Sequence, residues 1–243
     1  MSLYDALLAP IGAEAVRRVV IGVHWTLVEA ENGCGLAQTP RRNAAGAKPV
    51  PDGGRLDTFS LRDIAERVHS ANPLEVAVGM AAINAFHNRY DCTGPSDNGL
   101  GAFRDVDGPV TVIGRFPDLE KYLKEFRIVE LEPREGEYPE SAFAKLAASS
   151  VGIVITASTL VNKSAERLFE QAQGRRIAIV GPGTPLAPRL HDLGVEVLAG
   201  SVVQDVATAA AFVSQSGAAP QLKRLCRYVT LRAPRPRPNL RAG

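Results

Sequence analysis

The chain has 243 residues, 45% of them hydrophobic and 22% charged, the balance of a soluble globular protein made of one large domain or two small ones. No apolar stretch approaches the roughly 18 residues of a membrane span, and Asp5, Glu14, Arg17 and Arg18 interrupt the N-terminus where a secretory signal would be apolar, so a cytoplasmic protein is expected. The net charge of +2 is unevenly spread: Arg232, Arg235, Arg237 and Arg241 lie in an acid-free tail, and taking these four from the 28 Lys and Arg leaves 24 against 26 Asp and Glu, which offers nucleic acid no basic face.

A helix is predicted over Tyr4 to Arg18 from the spacing of Leu7, Leu8, Ile11, Ala15 and Val19. Strands follow at Val19 to Val23 and Trp25 to Ala30, then a turn at Glu31-Asn32-Gly33 before Cys34 to Ala37, and a surface loop over Arg41 to Gly54. Ser60 is placed to cap a helix over Leu61 to Val68, and a second helix runs from Pro73 to about Asn88 with proline in its first turn. Small residues fill that second helix, and Asn84, His87 and Asn88 share one of its faces.

Composition changes to Gly, Asp and Pro between Asp91 and Pro109, which sets the expected division: residues 1–100, residues 101–231 and the basic Pro/Arg tail 232–243. Beyond it, strands at Val110 to Ile113, Arg127 to Glu132, Val151 to Thr156, Arg176 to Val180 and Val195 to Leu198 alternate with helices. Those helices are read at Asp118 to Phe126, Glu140 to Ala148, Thr159 to Gln173, Pro185 to Leu193 and Gln204 to Ser214. The fold class is α/β, a Rossmann-like parallel-sheet domain preceded by a smaller α+β domain.

Ligands of such sheets bind beyond the carboxyl ends of the strands. Four loops are candidates there: Gly114 to Pro117, Thr156 to Lys163, Gly181 to Pro185 and Gly200 to Asp205, each combining glycine, hydroxyl or amide groups ahead of an expected helix. No GxGxxG follows the first strand, and GxxxxGK[ST], GxSxG and HExxH are missing from the chain, which removes ordinary dinucleotide, P-loop, serine-hydrolase and zinc-protease readings. Cys34, Cys92 and Cys226 are too scattered for a disulfide framework or a CxxC motif.

Several ordered motifs together carry a resemblance. Ile113-Gly114-Arg115-Phe116-Pro117, Glu130-Leu131-Glu132-Pro133, Thr156 to Lys163 and Gly181 to Leu186 make the second domain resemble the putative heavy-metal chelation family. Trp25-Thr26, Gly33 to Ala37 and Ala81 to Ala85 make the first resemble that family's companion module, of enolase-N-terminal-like fold. Arg115 and Gly183 depart from the family pattern, in which histidine and serine are common at these two places. The resemblance implies a divalent or heavy metal ion as the cofactor, although the loss of a histidine removes one potential ligand and the arginine suits an anion instead.

The expected ligand is a metal chelate or small anionic metabolite held between the two domains. Trp25, Asn84 and Asn88 form one wall in this reading; Gly114, Arg115, Thr156, Ser158, Thr159, Asn162, Gly181, Thr184 and Asp205 form the other. An alternative is an enzyme of small-molecule or cofactor biosynthesis using the same cleft, with Lys163, Glu130 or Asp205 as acid or base. Nucleic acid and membrane are not expected partners, and a homo-oligomer is left open. The tail, with Pro234, Pro236 and Pro238 among its arginines, is read either as a solvated terminus or as an extended docking segment.

Overall fold

The computed structural model describes residues 2–222 and 224–234. Among them, β1 (Val16–Ile21), β2 (Trp25–Ala30) and β3 (Cys34–Gln38) form an antiparallel meander, separate from a seven-stranded sheet that carries the rest of the strands. No helix among the described residues is long and apolar enough to cross a membrane.

The first helix is much shorter than its apolar pattern predicts. α1 covers only Leu3–Leu8, held by a Ser2/Asp5 capping box, because Pro10 and Gly12 stop it and Val16 already belongs to β1. α2 (Leu61–Ala65) starts at the expected Ser60 cap, with Asp63 completing the box, and a 3-10 turn over Glu66–His69 ends it. α3 (Pro73–His87) begins on the Asn72 cap and packs across β2 and β3. Gly35 makes this packing close: a Cβ there would lie 2.0 Å from the Ala81 carbonyl and 2.2 Å from the Ala85 nitrogen.

The large sheet contains β4 (Val110–Ile113), β5 (Phe126–Glu130), β6 (Tyr138–Pro139), β7 (Gly152–Thr156), β8 (Arg176–Val180), β9 (Val195–Val203) and β10 (Cys226–Arg232). Their spatial order is β10-β9-β8-β7-β4-β5-β6, all parallel except β10, which runs antiparallel to β9. The chain leaves β4 in one direction through β5 and β6, then returns to the other side of β4 as β7. The sheet's topological switch point therefore lies between β4 and β7.

Several predicted helices shrink here. Asp118 to Phe126 yields only a 3-10 turn, Leu119–Lys121, behind the left-handed Asp118 (φ 58°), although Leu119 and Leu123 are buried as an amphipathic segment requires. Glu140 to Ala148 is a 3-10 turn followed by α4 (Phe143–Ala148). Thr159 to Gln173 divides into α5 (Ser158–Val161) and α6 (Ala165–Gln171), because Lys163 is left-handed (φ 61°) and the Asn162 carboxamide oxygen draws in the Ser164 N–H and hydroxyl. Pro185 to Leu193 is helical only at α7 (Arg189–Asp192), after a second proline, Pro188. β9 continues past Leu198 to Val203, so Gly200 to Val203, read as a loop, is strand paired with β10; α8 (Val206–Ser214) follows it. Of the predicted tail, Arg232 closes β10 and pairs with Asp97, while Arg235, Pro236, Arg237, Pro238 and Arg241 lie outside the described residues.

One apolar cluster runs through both sheets, uniting Leu7, Val28, Ala37, Val76 and Ile83 with Ile113, Ile155, Leu160, Ile179 and Leu198.

Candidate functional site

The carboxyl ends of β4, β5 and β7 open onto a cleft of about 730 Å³, whose far wall comes from the antiparallel part of the chain. Gln38 at the end of β3 with Thr39 to Arg41 after it, and Ser70, Ala71 and Pro73 at the start of α3, face Arg115, Glu130 to Glu132, Ser158, Asn162 and Lys163. A smaller recess of about 70 Å³ opens at the switch point itself, lined by Gly114, Glu130, Glu140, Thr156, Ser158, Thr159, Asn162 and Ser164, with Ile113, Val129 and Leu131. Gly114 ends β4 at φ 94°, and a Cβ there would lie 2.7 Å from the Thr156 methyl carbon, so glycine sets how closely β4 and β7 approach at this point.

Six of the anticipated residues therefore meet: Gly114, Arg115, Thr156, Ser158, Thr159 and Asn162. Thr159 donates its hydroxyl to the Thr156 carbonyl at 2.8 Å, and the Ser158 and Thr156 hydroxyls lie 3.3 Å apart. Lys163 reaches across the cleft to the Ser70 carbonyl at 2.7 Å.

Arg115 is not the open anion receptor that its position suggests. Its Nε and one Nη bind both oxygens of Glu137 at 2.7 and 2.5 Å, and the same Nη donates to the Glu132 carbonyl at 2.7 Å. Glu130 stands 3.6 Å from its other Nη. The guanidinium holds the Glu137 carboxyl down at about 2, with help from the Arg134 N–H, and Glu137 in turn raises the Arg115 pKa. Arg41 is paired with Glu132 and Arg167 with Glu140.

The remaining anticipated residues lie elsewhere. Asn84 and Asn88 are fully buried where the two sheets meet: Asn84 Nδ2 donates to the Leu36 and Gly183 carbonyls at 2.7 and 2.9 Å, and Asn88 Nδ2 to those of Thr184 and Ser201, both at 3.0 Å. Asn88 Oδ1 accepts from the Leu186 N–H at 2.8 Å. Both amides thus face the Gly181 to Pro185 loop as expected, but they bind its backbone and do not line the open cleft. Gly181 and the buried Thr184 belong to this seam. Trp25 packs with Leu27, Cys34, Leu36, Val203 and Val213 in an apolar cluster. Asp205 caps α8 through Thr208, whose hydrogen bonds lower its pKa.

Gln38, Thr39, Arg41, Ser70, Glu132 and Glu140 were not anticipated as lining. Of these, only Glu132 lies in one of the motifs that carry the family resemblance.

The chain matches the family described as "Putative heavy-metal chelation" (DUF364) over residues 102–232, and a second family of the same description (DUF4213) over residues 4–87. The chain belongs to the DUF364 family. A solved DUF364 protein of unknown function from Desulfitobacterium hafniense shares 30% identity over 95% of this chain and 98% of its own, with a TM-score of 0.84. Another, from Pyrococcus horikoshii, shares 19% identity over 96% of this chain and 100% of its own, with a TM-score of 0.79, and supports the fold alone. No curated protein matches the chain.

The side chains do not fit the heavy metal that the family description implies as a directly coordinated ion. Every His, Cys, Asp and Glu lies among the described residues, and no three of them gather as a metal-holding group. Cys34 and Cys226 share an apolar cluster, where burial pushes the Cys34 thiol well up and that of Cys226 up to about 11, and no third donor joins them in a metal-holding group.

Proposed function

We propose that this DUF364 protein binds a small anionic metabolite or a preformed metal chelate in the cleft at the switch point. The observation that carries the reading is the cleft's position: it sits at the carboxyl ends of β4, β5 and β7, where open parallel sheets hold ligands, and a second wall of different origin covers it. The Gly114 backbone and the side chains of Thr156, Ser158, Thr159, Asn162 and Lys163 supply polar contacts. A chelate brings its own metal donors, which agrees with a cleft that lacks a protein donor set. A second reading, an enzyme of small-molecule biosynthesis, is favoured by Glu130 and Lys163 lining the same cleft as an acid and a base.

Native mass spectrometry of the parent and of Ser158→Trp, which fills the recess, tests the proposal. The parent is expected to carry a small-molecule adduct that the variant lacks while its melting temperature is kept. Equal retention of the adduct by both proteins sinks the cleft reading.

A further inference from the structure

The cleft is electrically divided. Its outer reach is lined by three cations, Arg41, Arg115 and Lys163, and by Glu130 and Glu132. The polar lining of the recess is Glu130, Glu140, hydroxyls and an amide, and among the described residues neither lysine nor arginine lines it.

The pairings sharpen this division. Glu140 is held by Arg167, and Arg115 is committed to Glu137 and the Glu132 carbonyl. Among the described residues, Glu130 accepts only a 3.2 Å bond from the Leu131 N–H, and its approach to Arg115 at 3.6 Å is too long for a hydrogen bond. A carboxylate accepts about four hydrogen bonds, so Glu130 keeps acceptor capacity facing the recess. An anionic group placed there would be desolvated against a like charge. In the outer reach, Lys163 spends one N–H on Ser70 and, among the described residues, keeps two donors.

We infer that the ligand of this cleft is bipolar: a hydrogen-bond-donating head, ammonium or hydroxyl, enters the recess and donates to Glu130, while an anionic end remains in the outer reach at Lys163. The inference rests on the cleft reading above and adds to it the class of ligand, an amino acid or hydroxy acid in the broad sense. The recess admits a head of only a few heavy atoms.

Three nearly isosteric probes separate the outcomes: β-alanine, 3-hydroxypropionate and propionate, titrated by ligand-observed NMR against the full chain. β-Alanine or 3-hydroxypropionate should bind about tenfold more tightly than propionate, the scale of one charge-assisted hydrogen bond. Which of the two is preferred identifies the head as ammonium or hydroxyl. Glu130→Gln, which keeps an acceptor but loses the charge, should cut that advantage to the few-fold scale of a neutral hydrogen bond or less, and Glu130→Asp should retain more of it, each at a melting temperature near that of the parent. Lys163→Gln should weaken all three probes together. Propionate binding as tightly as both donors, no binding of either donor, or an advantage undiminished in Glu130→Gln overturns the inference and leaves the cleft reading standing. Binding of all three that persists unchanged in both Ser158→Trp and Lys163→Gln places them outside the recess and the outer reach alike and overturns the cleft reading itself.

Discussion

Asn88 shows how much one uncharged side chain carries. It satisfies two carbonyls and one N–H from a segment 96 to 113 residues away. Asn88→Ala would leave these three backbone groups buried and unpaired, and should lower stability by about 3 to 5 kcal/mol in denaturant titration. Asn88→Asp should be at least as damaging at neutral pH, since a carboxylate would face two carbonyls, and should recover partly in acid, where the protonated group donates one bond. Wild-type stability in Asn88→Ala would contradict this account of the seam.

The Arg115–Glu137 pair sets a pH dependence whose sign follows from the depressed carboxyl. Its ordinary value of 4.5 falls to about 2 in the folded chain, so the pair stabilises fully above 4.5, and its contribution disappears as pH falls toward 2. Glu137→Gln should therefore flatten the acid limb of the melting-temperature profile in that window and leave the remainder unchanged. An identical acid limb would show that the pair does not couple to folding.

At the scale of elements, the contact of α3 with β3 is made by backbones. A methyl group at Gly35 has only the main chain of α3 to displace, because the atoms it would meet are the Ala81 carbonyl and the Ala85 nitrogen. Gly35→Ala should cost at least about 3 kcal/mol of stability, whereas Gly101→Ala, with no atom within 4 Å of the added carbon, should cost little. Equal melting temperatures for the two variants would refute the close-packing argument. The helices of the large sheet respond to different constraints: a left-handed Lys163 and an Asn162 turn shorten α5 to 4 residues, which leaves Ser158 and Asn162 at the cleft mouth and out of a continuous helix.

At the scale of the whole molecule, the proposed division near residue 100 separates two sheets but not two cores. The continuous apolar cluster, the Asn84 and Asn88 bonds and the Tyr4 hydroxyl bound to the Leu160 carbonyl at 2.8 Å all join the two parts. Unfolding should be a single cooperative transition, with a calorimetric enthalpy equal to the van't Hoff enthalpy. Two resolved transitions would show that each part folds by itself. A fixed seam also holds the cleft walls in register before any ligand arrives, which lowers the ordering cost of binding.

What the sequence determined by itself is the local part of this protein. Runs such as Val110 to Ile113 and Arg176 to Val180 become strands over those same residues, Ser60 caps the helix that it precedes, and Pro73 stands in the first turn of the next. Propensity, capping and β-branched stiffness act within a few residues, so they are written in a short window. The alternation of strand and helix likewise placed Gly114, Thr156, Ser158 and Asn162 at one sheet edge. Only the tertiary structure decided which partners those residues meet. Glu137, 22 residues beyond Arg115, takes its fork; β10 converts Gly200 to Val203 from loop to strand; and the carbonyls of Thr184 and Ser201 draw Asn88 out of the cleft and into the seam. These pairings depend on which distant segments close upon one another, and a hydrogen-bonding side chain in the linear sequence has no preference among them until chain closure supplies one.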